Sequence, residues 1–224
     1  MATGRRDPRE RPGLASRLAA ATYDVLTAGL EREVFGPRRR LLLGAARGRV
    51  LDVGAGTGAN LQHYTWEDVS ELVLVDPSPG MLDRARRKAA RFGVEVQTLA
   101  QRAERLPIEE DSCDAVVFTC ALCTIGDPAA ALREARRVLR PSGRLFVFEH
   151  VRARDAGLAA WQDRITPLWR TISGGCHPNR DTRAAIEAAG FQFESVEEFA
   201  EKRIPIPIVQ PQLLATARKA GVPG

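Results

Sequence analysis

The sequence lacks any long apolar run, and it has few cysteines and histidines. No stretch approaches the roughly 18 uncharged apolar residues of a membrane-spanning helix, so such a helix is excluded. Arg17 and Asp24 interrupt the apolar stretch that a secretory signal needs. The 4 cysteines and 3 histidines show no zinc-finger spacing, since Cys120 and Cys123 form a single CxxC with no second pair. The sequence predicts free cysteines, no metal and a cytoplasmic location.

The excess of basic over acidic side chains is confined to one end of the chain. Residues 1–50 carry 11 basic and 5 acidic side chains, a net charge of +6, and the remaining residues carry 22 and 23. The formal net charge of +5 and the pI of about 9.4 therefore arise at the N-terminus. A neutral body argues against a nucleic acid partner, and we interpret the Arg- and Pro-rich residues 1–13 as a flexible basic tail.

Residues 14–47 are predicted to form an N-terminal helical lid. Apolar residues recur at helical spacing, and Gly36-Pro37 divides the pattern into two amphipathic helices. These helices could cover a substrate pocket or pack on a sheet, and a basic amphipathic helix also suits peripheral membrane contact.

From residue 48 to residue 224 the pattern predicts a single domain in which short apolar strands alternate with helices. Such alternation indicates an α/β fold with a parallel, doubly wound sheet and helices on both faces. Predicted strands lie at residues 49–53, 72–75, 94–98, 115–119, 144–149, 191–197 and within 208–217. Predicted helices lie at residues 58–64, 79–92, 128–139 and 182–189.

The strongest motif is the strand that runs into a glycine-rich turn between Val50 and Gly58. Gly54 and Gly56 allow backbone angles and a close ligand approach that a Cβ would prevent. A dinucleotide fingerprint remains open on the pattern alone. However, the spacing is GxGxG, and Asp52 suits a cationic amine better than a phosphate.

A second carboxylate ends the next predicted strand. Asp76 follows residues 72–75, and at that position of a doubly wound sheet a carboxylate can accept both hydroxyls of a ribose. The alternative is an ordinary turn residue before Pro77. The position of Asp76, 18 residues after Gly58 in the sequence, favours the ribose role.

These motifs, together with AERLPIEEDSCDAVV and LREARRVLRPSGRLFVFEH, resemble the class I S-adenosylmethionine-dependent methyltransferases over residues 48–150. The resemblance implies a Rossmann-like sheet of about seven strands, mostly parallel with one antiparallel C-terminal strand. It implies S-adenosylmethionine as cofactor and S-adenosylhomocysteine as product. One departure is Arg102, which stands where many relatives have an acidic residue that reaches the adenine. The implied cofactor-binding residues are Asp52, Gly54, Ala55, Gly56, Gly58, Asp76, Pro77, Met81, Ala103, Glu104 and Cys120.

Over most of residues 95–215 the sequence resembles the alkyl-thiol S-methyltransferases, in the segments FTCALC, EHV, Trp161-Gln162, Pro167-Leu168-Trp169, Gly175-Cys176-His177 and Arg180-Asp181-Thr182. This resemblance implies a small, apolar methyl acceptor with a thiol as the leading candidate. His150, at the end of the fifth predicted strand, and His177, in a glycine-rich loop, are the candidate catalytic residues. The candidate residues of the substrate pocket are Tyr23, Cys123, Glu149, Trp161, Trp169 and Cys176.

Other functions remain open at the level of sequence. Within enzymes these are C- or O-methylation of a quinone, polyketide or other natural product, and N-methylation of a phospholipid amine. A cofactor-binding protein without catalysis is disfavoured by the intact cofactor motifs. A nucleic-acid methyltransferase is disfavoured because Thr119-Cys120-Ala121-Leu122 replaces an NPPY-like tetrapeptide.

Overall fold

The computed structural model describes residues 28–221, so the predicted tail and residues 14–27 of the predicted lid, including Tyr23, lie outside the described residues. The described chain forms a 7-stranded sheet of order β3-β2-β1-β4-β5-β7-β6. Its strands are β1 Gly48–Val53, β2 Val69–Val75, β3 Gln97–Leu99, β4 Cys113–Thr119, β5 Leu139–His150, β6 Phe191–Ala200 and β7 Pro211–Lys219. β7 runs antiparallel to both of its neighbours, β5 and β6, and every other pair of neighbouring strands is parallel, which confirms the predicted sheet.

Four of the five α-helices in the described residues begin where the sequence supplies a side-chain cap. The five helices are α1 Gly36–Leu43, α2 Pro79–Arg91, α3 Pro128–Val138, α4 Ala156–Ile172 and α5 Thr182–Ala188. Side chains of Ser78, Asp127, Asp155 and Asp181 accept a hydrogen bond from the backbone N–H three residues further on, at the starts of α2 to α5. Such caps satisfy one of the free donors of a helix start and stabilise the helix by about 1 kcal/mol.

Helices cover both faces of the sheet, as predicted. Successive side chains of a strand point to opposite faces, so Leu51 joins the buried cluster beneath α3 and α5 while Val50 joins the cluster beneath α1 and α2. Because both faces are buried, β1, β2 and β4 end in almost continuous apolar runs. The polar groups that follow these runs meet at the carboxyl edge of the sheet.

The predicted break at Gly36-Pro37 is wrong. Glu31–Phe35 forms a π-helical turn that leads directly into α1, and the Gly36 N–H donates to the Glu31 carbonyl. Pro37 lies in the first turn of α1. A proline is tolerated there because its missing N–H has no partner to lose.

Two further predictions need correction. Residues 58–64 form turns and a short 3₁₀ helix at Leu61–His63 instead of an α-helix, and Tyr64 is extended with φ −75° and ψ 143°. The hydroxyl of Tyr64 donates to Asp52 at 3.0 Å, and this contact pulls the segment back over the end of β1. The 17-residue α4 was not predicted, since Gly157 and Pro167 interrupt its helical pattern.

Candidate active site

The glycine turn after β1 is fixed to the end of β2 and leaves room for a ligand. The N–H groups of Gly54 and Ala55 donate to the Val75 carbonyl at 2.8 and 3.0 Å. A Cβ on Gly54 (φ 74°) would lie 2.4 Å from the Cβ of Ala121, so the loop after β4 packs directly on the turn. A Cβ on Gly56 (φ 54°) would meet nothing closer than 4.0 Å. The close approach at Gly54 is therefore structural, and the space at Gly56 is open to a ligand.

Asp76 lies beside this space. Its carboxylate accepts the Gly56 N–H at 3.1 Å and the Ser78 N–H at 2.8 Å. Burial raises the pKa of Asp76, and these two hydrogen bonds partly oppose the rise. Each carboxylate oxygen keeps lone-pair capacity for a further donor, so Asp76 is suited to hold two neighbouring hydroxyls.

Asp52 is almost completely buried on the other side of the turn, at 1% exposure. The amide nitrogen of Asn60 donates to its two oxygens at 3.1 and 2.9 Å, and the Tyr64 hydroxyl donates at 3.0 Å. Burial raises the pKa of Asp52 to about 6, although these hydrogen bonds and the charge of Arg39 favour the carboxylate. An added cation would stabilise the charged form further.

Arg39 ties α1 to this network, and sequence analysis did not find it. Its buried guanidinium donates to Asn60 Oδ1 at 2.7 Å and to the Thr119 hydroxyl. Glu31 receives two more of its hydrogen bonds, both at 3.0 Å. In the sequence Arg39 stands between Arg38 and Arg40, and nothing distinguishes it from these neighbours.

The residues predicted to flank the adenine lie along the starts of α2 and α3. The Met81 N–H donates to the Ser78 hydroxyl at 3.4 Å in the cap of α2. Glu104 accepts the Asp127 N–H at 3.2 Å, beside the start of α3. Ala103 is buried against the apolar core of the same face.

Glu149 organises the loop that follows β4. This fully buried carboxylate accepts the backbone N–H groups of Ala121, Leu122 and Cys123 at 2.7, 2.8 and 3.3 Å. The loop begins at Cys120, a non-glycine residue with positive φ (54°) whose N–H donates to the Phe148 carbonyl at 2.7 Å. Burial raises the pKa of Glu149, whereas the three backbone donors lower it. Glu149 therefore fixes the backbone of the loop after β4 through three hydrogen bonds.

Three predicted pocket and catalytic residues meet beside this loop. The ligand atoms of Cys123, His150 and Cys176 all lie within 4.8 Å of one another, and Cys123 Sγ is 3.9 Å from His150 Nδ1. A hydrogen bond from the Cys123 thiol lowers the pKa of Cys176 and raises that of Cys123. The ring of Phe35 packs edge-on against His150, with centroids 6.1 Å apart. We call these three residues the Cys-His-Cys cluster.

The loop between α4 and α5 brings Cys176 to this position. The His177 N–H donates to the Cys123 carbonyl at 2.8 Å, and His177 Nδ1 lies 3.3 Å from the same oxygen. Arg180, whose role the sequence did not reveal, donates to the Leu122 carbonyl and to the Ile125 carbonyl at 2.7 Å. His177 therefore contacts the backbone of the loop after β4, at Cys123.

The two predicted tryptophans differ in position. Trp169 is half-buried on α4, and its buried Nε1 lies near the Cys176 thiol, whose pKa it helps to lower. Trp161 lies on the same helix with 44% of its surface exposed. Of these two tryptophans, Trp169 is therefore the one whose ring nitrogen faces the interior.

The strand order, the glycine turn and the carboxylate after β2 together define a class I S-adenosylmethionine-dependent methyltransferase. A model of the methyltransferase domain matches residues 51–147. Thiol S-methyltransferase TMT1B of Rattus norvegicus is 32% identical over 190 residues, which cover 83% of this chain and 77% of that protein. Malonyl-[acyl-carrier protein] O-methyltransferase of Hahella chejuensis is 35% identical over 83% of this chain and 59% of that protein.

Among solved structures, a methyltransferase from Bacillus halodurans superposes with a TM-score of 0.67 at 18% identity, covering 84% of this chain and 99% of that chain. The chain belongs to the S-adenosylmethionine-dependent methyltransferase family that includes TMT1B, and S-adenosylmethionine is its cofactor. In the part of the chain that the structure describes, none of the helices could traverse a bilayer.

Proposed function

We propose that this enzyme transfers a methyl group from S-adenosylmethionine to the sulfur of a small, apolar thiol. The observation that carries this proposal is the Cys-His-Cys cluster, whose Cys123 lies on the loop that packs on the glycine turn through Ala121 and Gly54. The similarity to TMT1B, named as a thiol S-methyltransferase, supports the same acceptor. The O-methyltransferase relative is matched over a smaller share of its length and supports an oxygen acceptor less well.

In this proposal the glycine turn and its two carboxylates hold the cofactor. Asp76 accepts the ribose hydroxyls, and Asp52 faces the cationic amine from the opposite side of the turn. The open space at Gly56 admits the cofactor against the backbone. Met81, Ala103 and Glu104 flank the adenine along the starts of α2 and α3. Since Arg102 carries no acceptor, the adenine amine is recognised by Glu104 or by backbone oxygens.

The acceptor binds at the carboxyl ends of β4 and β5, against the Cys-His-Cys cluster and Trp169. When bound, the cofactor would supply an activated methyl group on a sulfonium sulfur. Transfer of this group to the acceptor sulfur would leave S-adenosylhomocysteine and release the proton of the thiol. The main tasks of the protein are therefore to align the acceptor, to exclude water and to help the thiol ionise. Phe35, which packs on the buried ring of Phe148, supplies apolar surface beside His150.

The nature of the acceptor can be tested with a panel of thiols, catechols, quinones and amines. We expect turnover of apolar thiols, with kcat/KM rising with the apolar surface of the thiol by about tenfold for every two buried methylene groups. The measurement is mass-spectrometric detection of the methylated product. Turnover of oxygen, carbon or nitrogen acceptors with none on thiols would contradict the proposal.

The raised pKa of Asp52 leads us to expect that cofactor affinity depends on pH. Burial raises this pKa to about 6, while Asn60, Tyr64 and Arg39 favour the carboxylate and Asp76 opposes it. Since the cofactor amine prefers the charged carboxylate, bound cofactor lowers the pKa of Asp52. The Kd of S-adenosylhomocysteine should therefore stay constant above about pH 7 and rise about tenfold per pH unit below 6.

Isothermal titration calorimetry between pH 5 and pH 8 measures this effect. In Asp52→Asn the affinity should be lower and the steep part of the profile should disappear. A wild-type Kd that stays flat down to pH 5 would show that Asp52 does not face the amine.

Two further parts of the proposal concern the partner and the location. Because residues 51–224 carry 22 basic and 23 acidic side chains, we propose a free small-molecule acceptor and no nucleic acid. All four cysteines are free thiols, which fits the reducing environment of a cytoplasmic enzyme.

A further inference from the structure

The Cys-His-Cys cluster has the composition and spacing of a metal site. Cys123 follows β4, His150 ends β5 and Cys176 lies between α4 and α5, yet their ligand atoms lie within 4.8 Å of one another. In a tetrahedral zinc site, Zn–S distances near 2.3 Å and Zn–N distances near 2.0 Å place ligand atoms about 3.5 to 3.8 Å apart. Closing the cluster around an ion therefore needs movements of about 1 Å or less.

The ligands are held in place by contacts on their backbones. Glu149 accepts the Cys123 N–H, and His177 donates its N–H to the Cys123 carbonyl. His150 ends a strand that is paired with β7 up to its last residue. The loop before Cys176 is anchored by the Gly175 N–H, which donates to the Arg170 carbonyl at 2.8 Å. Such pre-positioning lowers the cost of bringing three ligands together.

The ligand types select the metal. Two sulfurs and one imidazole suit Zn²⁺, whereas Mg²⁺ and Ca²⁺ require oxygen ligands. In residues 28–221 this group of ligand atoms has three members, so a tetrahedral ion bound here keeps a fourth position. Three protein ligands with one open position are typical of catalytic zinc sites.

We propose that Cys123, His150 and Cys176 bind one Zn²⁺ ion whose fourth position accepts the sulfur of the methyl acceptor. The second half of this statement rests on the proposed thiol methylation. When the thiol binds the ion, its proton leaves to water and the sulfur remains as a thiolate. This sulfur forms the new S–CH₃ bond, the C–S bond of the sulfonium breaks, and its electron pair stays on S-adenosylhomocysteine. The charge of the ion does not change.

The binding of the ion can be measured without any activity assay. The purified full chain is stripped with a chelator, titrated with zinc chloride, dialysed and analysed for metal content. We expect about one zinc per chain in the wild type and at least a 100-fold loss of affinity in Cys123→Ser and Cys176→Ser. Cys113→Ser is the matched control, because Cys113 is another buried free cysteine, at the start of β4, and should bind zinc as the wild type does.

Two results would overturn the site: no zinc retained by the wild type at micromolar zinc, or equal retention by Cys176→Ser. Circular dichroism melting shows whether each variant is folded. Should a variant fail to fold, Co²⁺ added to the wild type decides the question, since thiolate ligands give an intense sulfur-to-cobalt charge-transfer absorption. Its absence would contradict the site.

Methyl transfer measured on stripped and reloaded protein separates this proposal from the thiol assignment. We expect turnover of apolar thiols to fall at least tenfold on stripping and to return with zinc. Full thiol methylation by stripped protein would overturn the role of the ion and leave the thiol acceptor standing. Zinc binding without turnover of any thiol would instead refute the proposed acceptor.

Discussion

Replacing Asp76 by alanine is expected to weaken binding of S-adenosylmethionine and S-adenosylhomocysteine by about 100-fold or more. Hydrogen bonds to a charged group contribute about 1.5 to 3 kcal/mol each, and two ribose hydroxyls lose such a partner. The variant also leaves the N–H groups of Gly56 and Ser78 without their acceptor, so the turn loses one of its contacts with the end of β2 at the same time. Calorimetric titration with S-adenosylhomocysteine measures the affinity.

Asp83→Ala is the matched control for this variant. Asp83 lies on α2 and pairs with Arg87 on the helix surface at 2.8 Å, so its loss should leave cofactor affinity unchanged. Thermal melting of both variants without ligand separates lost binding from lost folding. Wild-type affinity in a folded Asp76→Ala protein would refute the ribose assignment.

Replacing Glu149 by alanine is expected to destabilise the protein by about 3 kcal/mol or more and to abolish methyl transfer. The change leaves three backbone N–H groups of the loop after β4 without their acceptor, and each buried, unsatisfied donor costs about 1 to 3 kcal/mol. The loop carries Cys123 and packs on Gly54, so both the acceptor wall and the glycine turn lose support.

Chemical denaturation measures this loss, with Glu194→Ala as the control. Glu194 forms an exposed pair with Arg144 at 2.7 Å, and such pairs contribute about 0 to 1 kcal/mol. Glu149→Gln should fall between the wild type and Glu149→Ala, because its amide retains one acceptor oxygen for the loop. Equal stability of Glu149→Ala and Glu194→Ala would show that the buried carboxylate does not hold the loop.

The cofactor side of the site could be predicted from the sequence because it is built from local segments. A strand, a glycine turn and a carboxylate after the next strand lie within 30 residues of one another, and each has a local pattern. The helices α2, α3 and α5 were predicted for the same reason, since each combines a cap with helical spacing.

The acceptor side could not be predicted in this way. Cys123, His150 and Cys176 belong to three different parts of the chain. The pairing of β4 with β5 brings Cys123 and His150 together, and the loop between α4 and α5 adds Cys176. The metal-ligand spacing that sequence analysis sought is a local property, and this cluster has none. Arg39 was missed because its buried partners Asn60 and Thr119 are distant in the sequence.

The central claim, methyl transfer to sulfur, is tested most directly by an acceptor that offers several atoms within one molecule. 4-Mercaptophenol carries a thiol, a phenol and an aromatic ring, so one binding event presents sulfur, oxygen and carbon to the same methyl donor. Incubation with S-adenosylmethionine followed by mass spectrometry and NMR identifies the methylated atom. We predict the S-methyl thioether as the product. Predominant methylation of the phenol oxygen or of a ring carbon would contradict the account.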